Sequence, residues 1–229
     1  MKLLLPASVG LILLTACSPS PKNAPGEVAS SSPSAASAAP SVDKIPAGEY
    51  RTDPAHTALT FTVNHLGYSH YTAQFASLDA HLTLDPAHPE AAVLKVTVDP
   101  RSLRLPTPPK GFYDELMGKQ WFDAAAFPQI TFASTQVEKT GVNTARVTGD
   151  LTLHGITKPV VLDVTFNGGY PGMAGFDPQA RIGFSAHGVF KRSDFGMGYG
   201  IPAPGSQMGV GDDVAFTIET EMQGPPLKS

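Results

Sequence analysis

The strongest pattern in this sequence is Arg146-Val-Thr-Gly-Asp-Leu-Thr-Leu-His-Gly-Ile-Thr-Lys-Pro-Val-Val-Leu-Asp-Val-Thr-Phe166. Apolar residues or glycine occupy every second position of 147–153 and of 160–166. Because successive side chains of a β-strand point to opposite faces, each half predicts a strand with one apolar face. Gly155 can take the positive φ that a tight hairpin turn often requires, and Pro159, which cannot donate a ladder hydrogen bond, is expected at the start of the second strand. The stretch therefore predicts a β-hairpin whose apolar face needs either a covering layer or a bound guest.

Alternating or β-branched segments recur along the rest of the chain. They are residues 58–64, 71–84, 93–98, 130–134, 180–190 and 214–222. Together with the hairpin they predict an all-β fold of about eight strands, and an antiparallel sheet of that size usually closes into a sandwich or a barrel. One segment differs, because Tyr113, Met117 and Trp121 are spaced as on one face of a helix. This spacing predicts a short helix near residues 111–122.

Composition narrows the function classes. The chain has 229 residues and a net charge of −4, with 16 Lys and Arg against 20 Asp and Glu and no long basic run, which argues against a nucleic-acid partner. A single cysteine excludes an intramolecular disulfide. The 22 Gly and 22 Pro are typical of a turn-rich β protein with a loose tail rather than a helical bundle.

The N-terminus is typical of an exported protein. Lys2 precedes a mostly apolar run at 3–14, which is too short to span a hydrocarbon core of ~30 Å comfortably. Leu14-Thr-Ala-Cys17 then resembles the bacterial lipobox, which implies cleavage before Cys17 and acylation of its thiol and new amino group; an ordinary signal peptide with a chance cysteine is the alternative. Two or more acyl chains anchor a protein firmly. By resemblance to Gram-negative sorting, Ser18 in place of Asp favours the outer membrane, facing the periplasm.

Composition also sets the domain limits. Residues 18–45 are rich in Ser, Pro and Ala and have almost no large apolar side chains, so they cannot offset their ordering entropy and are expected to form a disordered tether. We therefore predict a signal peptide at 1–16, an acylated linker at 17–46, one β domain at 47–223 and a tail at 224–229.

Six segments match one known family in order. They are Tyr50–His56, Phe61–Gly67, Gly118–Phe122 with Phe127–Ser134, Gly149–Val160, Lys191–Met197 and Val210–Val214. In this ordered set the chain resembles the YceI-like family, also described as polyisoprenoid-binding or lipocalin-like YceI proteins. The resemblance implies an extended antiparallel lipocalin-like β-barrel, with a short helix near one end and an apolar interior that holds a polyprenyl lipid or a quinone tail. The chain departs from the family in its acylation signal and in a longer, Pro-richer loop at 200–205.

The inward-facing apolar side chains form the predicted ligand-binding set. They are Phe61, Val63, Phe75, Leu94, Phe132, Leu151, Leu153, Leu162, Val164, Phe184 and Phe216, with Tyr113, Leu116, Met117 and Trp121 as a lid. Each of them could equally pack a solid core, because a barrel of about eight strands either fills itself or holds one small ligand. We further hypothesise, from the family resemblance, that His65 or His154 orients a polar head group. Lys191 and Arg192 could attract a diphosphate head, although a solvated pair is the simpler interpretation.

We predict neither a catalytic residue nor a metal site. The seven histidines include no HExxH pattern, and a Gly-x-Ser-x-Gly motif is absent. We predict a non-catalytic protein that binds, stores or transports an isoprenoid or similar amphiphile. The alternatives are a structural or stress-response interaction protein with a filled core and, less favoured, an enzyme with a metal or quinone cofactor. The carrier requires no cofactor beyond a bound polyprenyl lipid or quinone, and a homodimer is compatible with the sequence.

Overall fold

The structure is a computed structural model that describes residues 45–227. Ten antiparallel strands make up most of this part of the chain. They are β1 (Gly48–His65), β2 (Ser69–Phe75), β3 (Leu78–Leu84), β4 (Val93–Val98), β5 (Leu103–Arg104), β6 (Ile130–Lys139), β7 (Thr144–Leu153), β8 (Ile156–Tyr170), β9 (Gln179–Lys191) and β10 (Val210–Pro226). One short helix, α1 (Phe112–Leu116), lies between β5 and β6.

Eight of the strands close into a barrel in the order β1-β10-β9-β8-β7-β6-β4-β3, and β3 returns to β1. Strand β1 pairs with β10 along one edge, whereas its other edge pairs with β3 over Gly48–Arg51 and with β2 over Leu59–His65. Strand β5 extends the sheet beyond β2. The predicted all-β barrel of about eight strands is therefore confirmed.

The β7–β8 hairpin confirms the central prediction and corrects one detail. His154 and Gly155 have φ of 52° and 74°, as a two-residue type I′ turn requires. Pro159 is the fourth residue of β8, not the first, and lies opposite Asp150 of β7. Counting from the turn, this is a non-hydrogen-bonded pair, and β8 pairs with β9 only from Asp163 onward. The missing N–H therefore breaks no ladder bond.

The predicted helix is present but shorter than expected. α1 ends at Leu116, and the chain then turns at Gly118, whose carbonyl accepts from the Trp121 N–H at 3.0 Å and from the Asp123 N–H at 2.9 Å. Trp121 consequently reaches the interior from an irregular turn and not from a third helical turn.

The core begins before the predicted domain and the last strand continues beyond it. Ile45, assigned to the linker from the sequence, is 5% exposed and packs in the core, and β10 continues to Pro226, beyond the expected end at 223. The predicted signal peptide, Cys17 and most of the tether lie outside the described residues. No helix among residues 45–227 is long and apolar enough to cross a membrane.

One end of the barrel is packed solid with side chains, and we call it the filled end. Its buried members are Ile45, Tyr50, Ala80, Leu82, Leu84, Phe166, Ala180, Ile182 and Met222. Tyr50 is fully buried and its hydroxyl donates to the Pro46 carbonyl at 2.6 Å, while burial raises the pKa of Tyr50 to about 12. Buried side chains therefore occupy the interior at this end.

A network of charged groups ties β1, β9 and β10 together at the same end. Arg181 donates to Asp53 at 2.6 Å and to Asp177 at 2.8 Å, and Asp53 also accepts from Gln223 at 3.3 Å. Tyr170 donates to Asp177 at 2.7 Å. The hydrogen bonds from Arg181 and His56 hold the pKa of Asp53 well below its usual range. The network joins strands at the filled end and lies outside the cavity described below.

Candidate ligand-binding cavity

The other half of the barrel encloses a cavity of about 540 Å³. This volume lies within the roughly 300–1,000 Å³ typical of small-molecule sites. The polar or partly polar side chains in its wall are His65, Tyr71, Thr107, Trp121, Thr131 and Arg192, and the rest of the wall is apolar. Burial raises the pKa of the Tyr71 hydroxyl, which keeps that group neutral. Arg192 is the only Lys, Arg, Asp or Glu side chain among the described lining residues.

Strand register builds the aromatic part of this wall. Phe61 of β1 lies directly across from Phe216 of β10, and its ring stacks on Phe75 of β2 with centroids 5.5 Å apart. Phe75 in turn meets the edge of Phe122 at 5.8 Å. Offset and edge-to-face ring pairs stabilise such a wall beyond the area they bury.

Two glycines make room for rings in the wall. A Cβ atom on Gly149 would collide with the ring of Phe132, and one on Gly188 would lie 2.6 Å from Cζ of Phe216. Gly188 lies directly across from Phe216, whereas Gly149 is the diagonal neighbour of Phe132, two residues from Leu151, which lies across from that ring. The rings therefore lie back over bare backbone and leave the lumen open.

A proline-rich segment and α1 cover the outer end of the cavity. Residues 105–109 line the cavity on one side, and Pro106 to Pro109 are exposed to solvent on the other. Phe112 and Leu116 of α1 complete the cover, and Tyr113 fastens the helix by donating to the Arg101 carbonyl at 2.6 Å. This thin cover lies over part of the outer end, and the cavity is partly open to solvent.

Arg192 is a buried part of the wall and not a solvated surface charge. It is 3% exposed, and its guanidinium carbon lies 5.2 Å from the centroid of the Trp121 ring. Its N–H groups donate to the carbonyls of Met197, Tyr199, Val210 and Gly211 at 2.6–2.9 Å. Burial lowers the pKa of Arg192. These bonds hold the loop between β9 and β10 in place.

The structure separates the other three predicted head-group residues. His65 lines the cavity. Lys191 lies outside and donates to Asp213 at 2.8 Å, a bond that raises the pKa of Lys191. His154 sits in the hairpin turn, where Nδ1 donates to the Phe195 carbonyl at 3.2 Å, and it does not line the cavity. The prediction that Lys191 and Arg192 act as a pair is therefore corrected, because Lys191 ends β9 on the outer surface whereas Arg192 begins a buried 3-10 turn, Arg192–Phe195.

Ten of the fifteen predicted ligand contacts line the cavity. They are Phe61, Val63, Phe75, Leu116, Trp121, Phe132, Leu151, Leu153, Leu162 and Phe216. The other five do not: Leu94 and Phe184 pack against the filled end, Val164 packs beside Leu162, and Tyr113 and Met117 pack on the cluster around Leu116. Contact of any of these residues with a ligand stays a prediction.

Several wall residues were missed from the sequence. Leu59, Val214 and Ile218 line the cavity two residues from predicted members of the set, so extending the alternation would have found them. The segment 105–109 carries no periodic signal and could not have been found in this way. Within residues 45–227, no three His, Cys, Asp or Glu side chains come together in a way that could hold a metal ion.

Comparison with known proteins gives consistent matches. A family model described as the YceI-like domain matches residues 50–222. A UPF0312 protein of Pseudomonas savastanoi pv. phaseolicola is 39% identical over 154 residues, which are 66% of this chain and 76% of the relative. The crystal structure of BcnA from Burkholderia cenocepacia matches with a TM-score of 0.61 and 27% identity over 74% of this chain and 98% of BcnA. A Saccharophagus degradans structure, described as a polyisoprenoid binding domain, shares the fold with a TM-score of 0.56 and 15% identity over 77% of this chain and 98% of that domain.

Proposed function

This chain belongs to the YceI-like domain family, and from that premise we propose that its barrel binds one isoprenoid or similar amphiphilic lipid, such as a polyprenyl lipid or a quinone. The observation that carries the proposal is the cavity of about 540 Å³ with an almost wholly apolar wall. Each CH₂ group that leaves water for such a wall contributes about 0.8 kcal/mol. A barrel of this kind stores or transports a chain that does not cross water unaided.

The chemistry of the wall favours an apolar chain over a polar small molecule. Its aromatic members Phe61, Phe75 and Phe216 offer broad apolar faces, and no carboxylate is among the described lining residues. The S. degradans domain is described as polyisoprenoid binding, and the same ligand class suits the interior of this barrel. The cavity also argues against an interaction protein with a filled core.

The proposed activity is binding without catalysis. The wall holds no serine, cysteine or carboxylate beside a base, which is the arrangement that nucleophilic catalysis needs. Arg192 is committed to four backbone carbonyls, so it holds its loop and is not free to move a proton.

The test is the identity of the natural cargo. The full chain carrying Cys17→Ser, which prevents acylation, would be purified without detergent and studied by native mass spectrometry, with mass spectrometry of its organic extract. A stoichiometric isoprenoid adduct is the expected result. A protein mass without any adduct, together with no uptake of added isoprenoid, would refute lipid binding.

We propose in addition that the carrier is anchored in the cell envelope through acylated Cys17, in the outer membrane facing the periplasm. The support is the lipobox-like Leu14-Thr-Ala-Cys17 followed by Ser18. Fractionation of cells that express the natural chain should place it with outer-membrane markers, and Cys17→Ser should move it out of the membrane fraction. Equal distribution of the two forms would contradict the anchor.

A further inference from the structure

The cavity wall contains one buried donor without an acceptor. Trp121 lines the cavity and is 9% exposed, and its indole Nε1 has no hydrogen-bond partner among the described residues. A buried N–H without an acceptor has lost its hydrogen bond to water and therefore destabilises the folded state. Structures rarely keep such a group unless it serves a ligand, a water or strain.

A second unmatched donor belongs to Arg192, whose guanidinium lies over the Trp121 ring. The Arg192 guanidinium has five N–H groups, and four of them donate to backbone carbonyls, so one N–H on Nη2 has no acceptor within residues 45–227. Arg192 forms no ion pair with a carboxylate in that part of the chain, and only the more distant charge of Asp212 counteracts the lowering of its pKa. The wall therefore presents a positive charge that no nearby anion neutralises.

The two donors belong to one place. The guanidinium of Arg192 lies over the Trp121 ring at 5.2 Å, and Tyr199, which is 49% exposed, meets the edge of the same ring at 5.7 Å. The pair is thus close to the surface at the end of the barrel opposite the filled end. A lipid oriented by this pair would have its head near the surface and its tail toward the filled end.

We propose that Trp121 and Arg192 form a polar subsite whose N–H groups donate hydrogen bonds to an oxygen atom of the ligand's head group. The ligand class is an isoprenoid-like amphiphile that ends in a hydrogen-bond acceptor, such as a carbonyl oxygen, and not a plain hydrocarbon. This inference rests on the proposed lipid-binding function and adds which end of the lipid is recognised and by which atoms.

Trp121 is the only tryptophan of the chain, so any indole signal comes from the proposed subsite. The full chain carrying Cys17→Ser, labelled with ¹⁵N in its indole, gives a single Nε1–H resonance. The probes are an isoprenoid methyl ketone and the hydrocarbon in which a methylene replaces the carbonyl. The ketone should move the indole proton downfield by forming a hydrogen bond, and the hydrocarbon should not.

Affinity gives a second readout. Trp121→Phe keeps an aromatic ring and removes the N–H. It should therefore lower the affinity for the ketone about fivefold to tenfold more than the affinity for the hydrocarbon, as the loss of one hydrogen bond predicts. Phe61→Leu removes part of the apolar wall and changes no polar atom, so it should lower the affinity for the two probes equally.

The outcomes separate this inference from the general function. If both probes bind but shift the indole proton alike, and Trp121→Phe weakens them alike, the subsite is refuted and lipid binding stands. If neither probe binds, both proposals fall. Should Trp121→Phe not fold, the resonance of the native indole still decides.

Discussion

Gly188 of β9 lies directly across the ladder from Phe216 of β10, and the Phe216 ring occupies the place where a Cβ atom of residue 188 would be. The same Cβ would lie 2.6 Å from the Val161 carbonyl oxygen. Neither the ring nor the backbone on the other side can yield without cost. The open lumen thus depends on a missing methyl group as well as on the large side chains around it.

We predict that Gly188→Ala destabilises the barrel by about 1–3 kcal/mol, the usual effect of overpacking, and pushes the Phe216 ring toward the cavity. Lipid affinity should fall as well. Gly183→Ala is the matched control in the same strand, because its added Cβ would meet no atom closer than 3.8 Å. Urea unfolding of both variants checks the prediction, which equal losses would contradict.

The second prediction concerns the stability of the barrel at low pH, which depends on Asp53. Because Arg181 and His56 lower the pKa of Asp53 in the folded state, the ionised carboxylate favours folding. An aspartate in an unfolded chain has a pKa of about 3.9, so this contribution is complete above about pH 5 and is lost as the pH falls below about 4 toward the lower native pKa. Asp53→Asn should lower the free energy of unfolding by about 3 kcal/mol at pH 7.

The variant should also flatten the fall in stability between about pH 5 and pH 2. Asp163→Asn is the control, because Asp163 faces Arg146 at 3.6 Å on the surface and such pairs contribute at most about 1 kcal/mol. Unfolding curves at several pH values provide the measurement. If the free energy of unfolding of Asp53→Asn depends on pH as steeply as that of the wild type, another group is responsible for the pH dependence.

The third prediction separates the inside of β8 from its outside. Val160 lines the cavity and is 6% exposed, whereas its neighbour Val161 is 40% exposed on the outer face. Val160→Phe should fill part of the cavity and weaken isoprenoid binding by about tenfold or more, equivalent to ~1.4 kcal/mol. Val161→Phe adds the same ring outside and should leave affinity unchanged. Titration with an isoprenoid ketone tests this, and equal affinities in the two variants would place the ligand elsewhere.

The fourth prediction separates stability from binding along the barrel. Ile182→Ala at the filled end should cost about 2–5 kcal/mol of stability, because the residue is 1% exposed and closely packed, and the affinity of the folded fraction should not change. Leu151→Ala in the cavity wall should cost less stability, since Leu151 already borders open space, yet it should reduce lipid affinity. Thermal unfolding with and without lipid measures both effects, since a ligand raises the stability of the form that binds it. A loss of affinity in Ile182→Ala would show that the two ends are coupled.

The strands and their inward faces could be predicted because apolar and polar residues alternate along the sequence of each strand. The residues of 147–153 and 160–166 that were expected to face inward do so in the structure. The His154–Gly155 turn follows from the same reasoning. Alternation shows which side chains face inward but not how far along the barrel axis they lie. Phe184 and Phe132 were therefore both predicted to contact the ligand, although Phe184 packs against the filled end.

The polar part of the site could not be predicted for a different reason. Arginine is rarely buried unless it is paired, so Arg192 next to Lys191 suggested a solvated pair. Its partners are carbonyls of an irregular loop, which carry no sequence signal. Trp121 was found by a helical spacing, although the helix ends at Leu116 and a turn at Gly118 brings the ring inward.

The filled end gives the cavity a floor as well as stability. Leu78 and Val96 line the cavity and also pack against the filled end, so open space stops at their level. For the lipid binding proposed above, a barrel that is closed at one end would measure chain length. A lipid whose tail is longer than the cavity is deep would have to leave the remainder outside, at the same end by which it entered, so tail length would join the proposed head-group contact as a second criterion of selection.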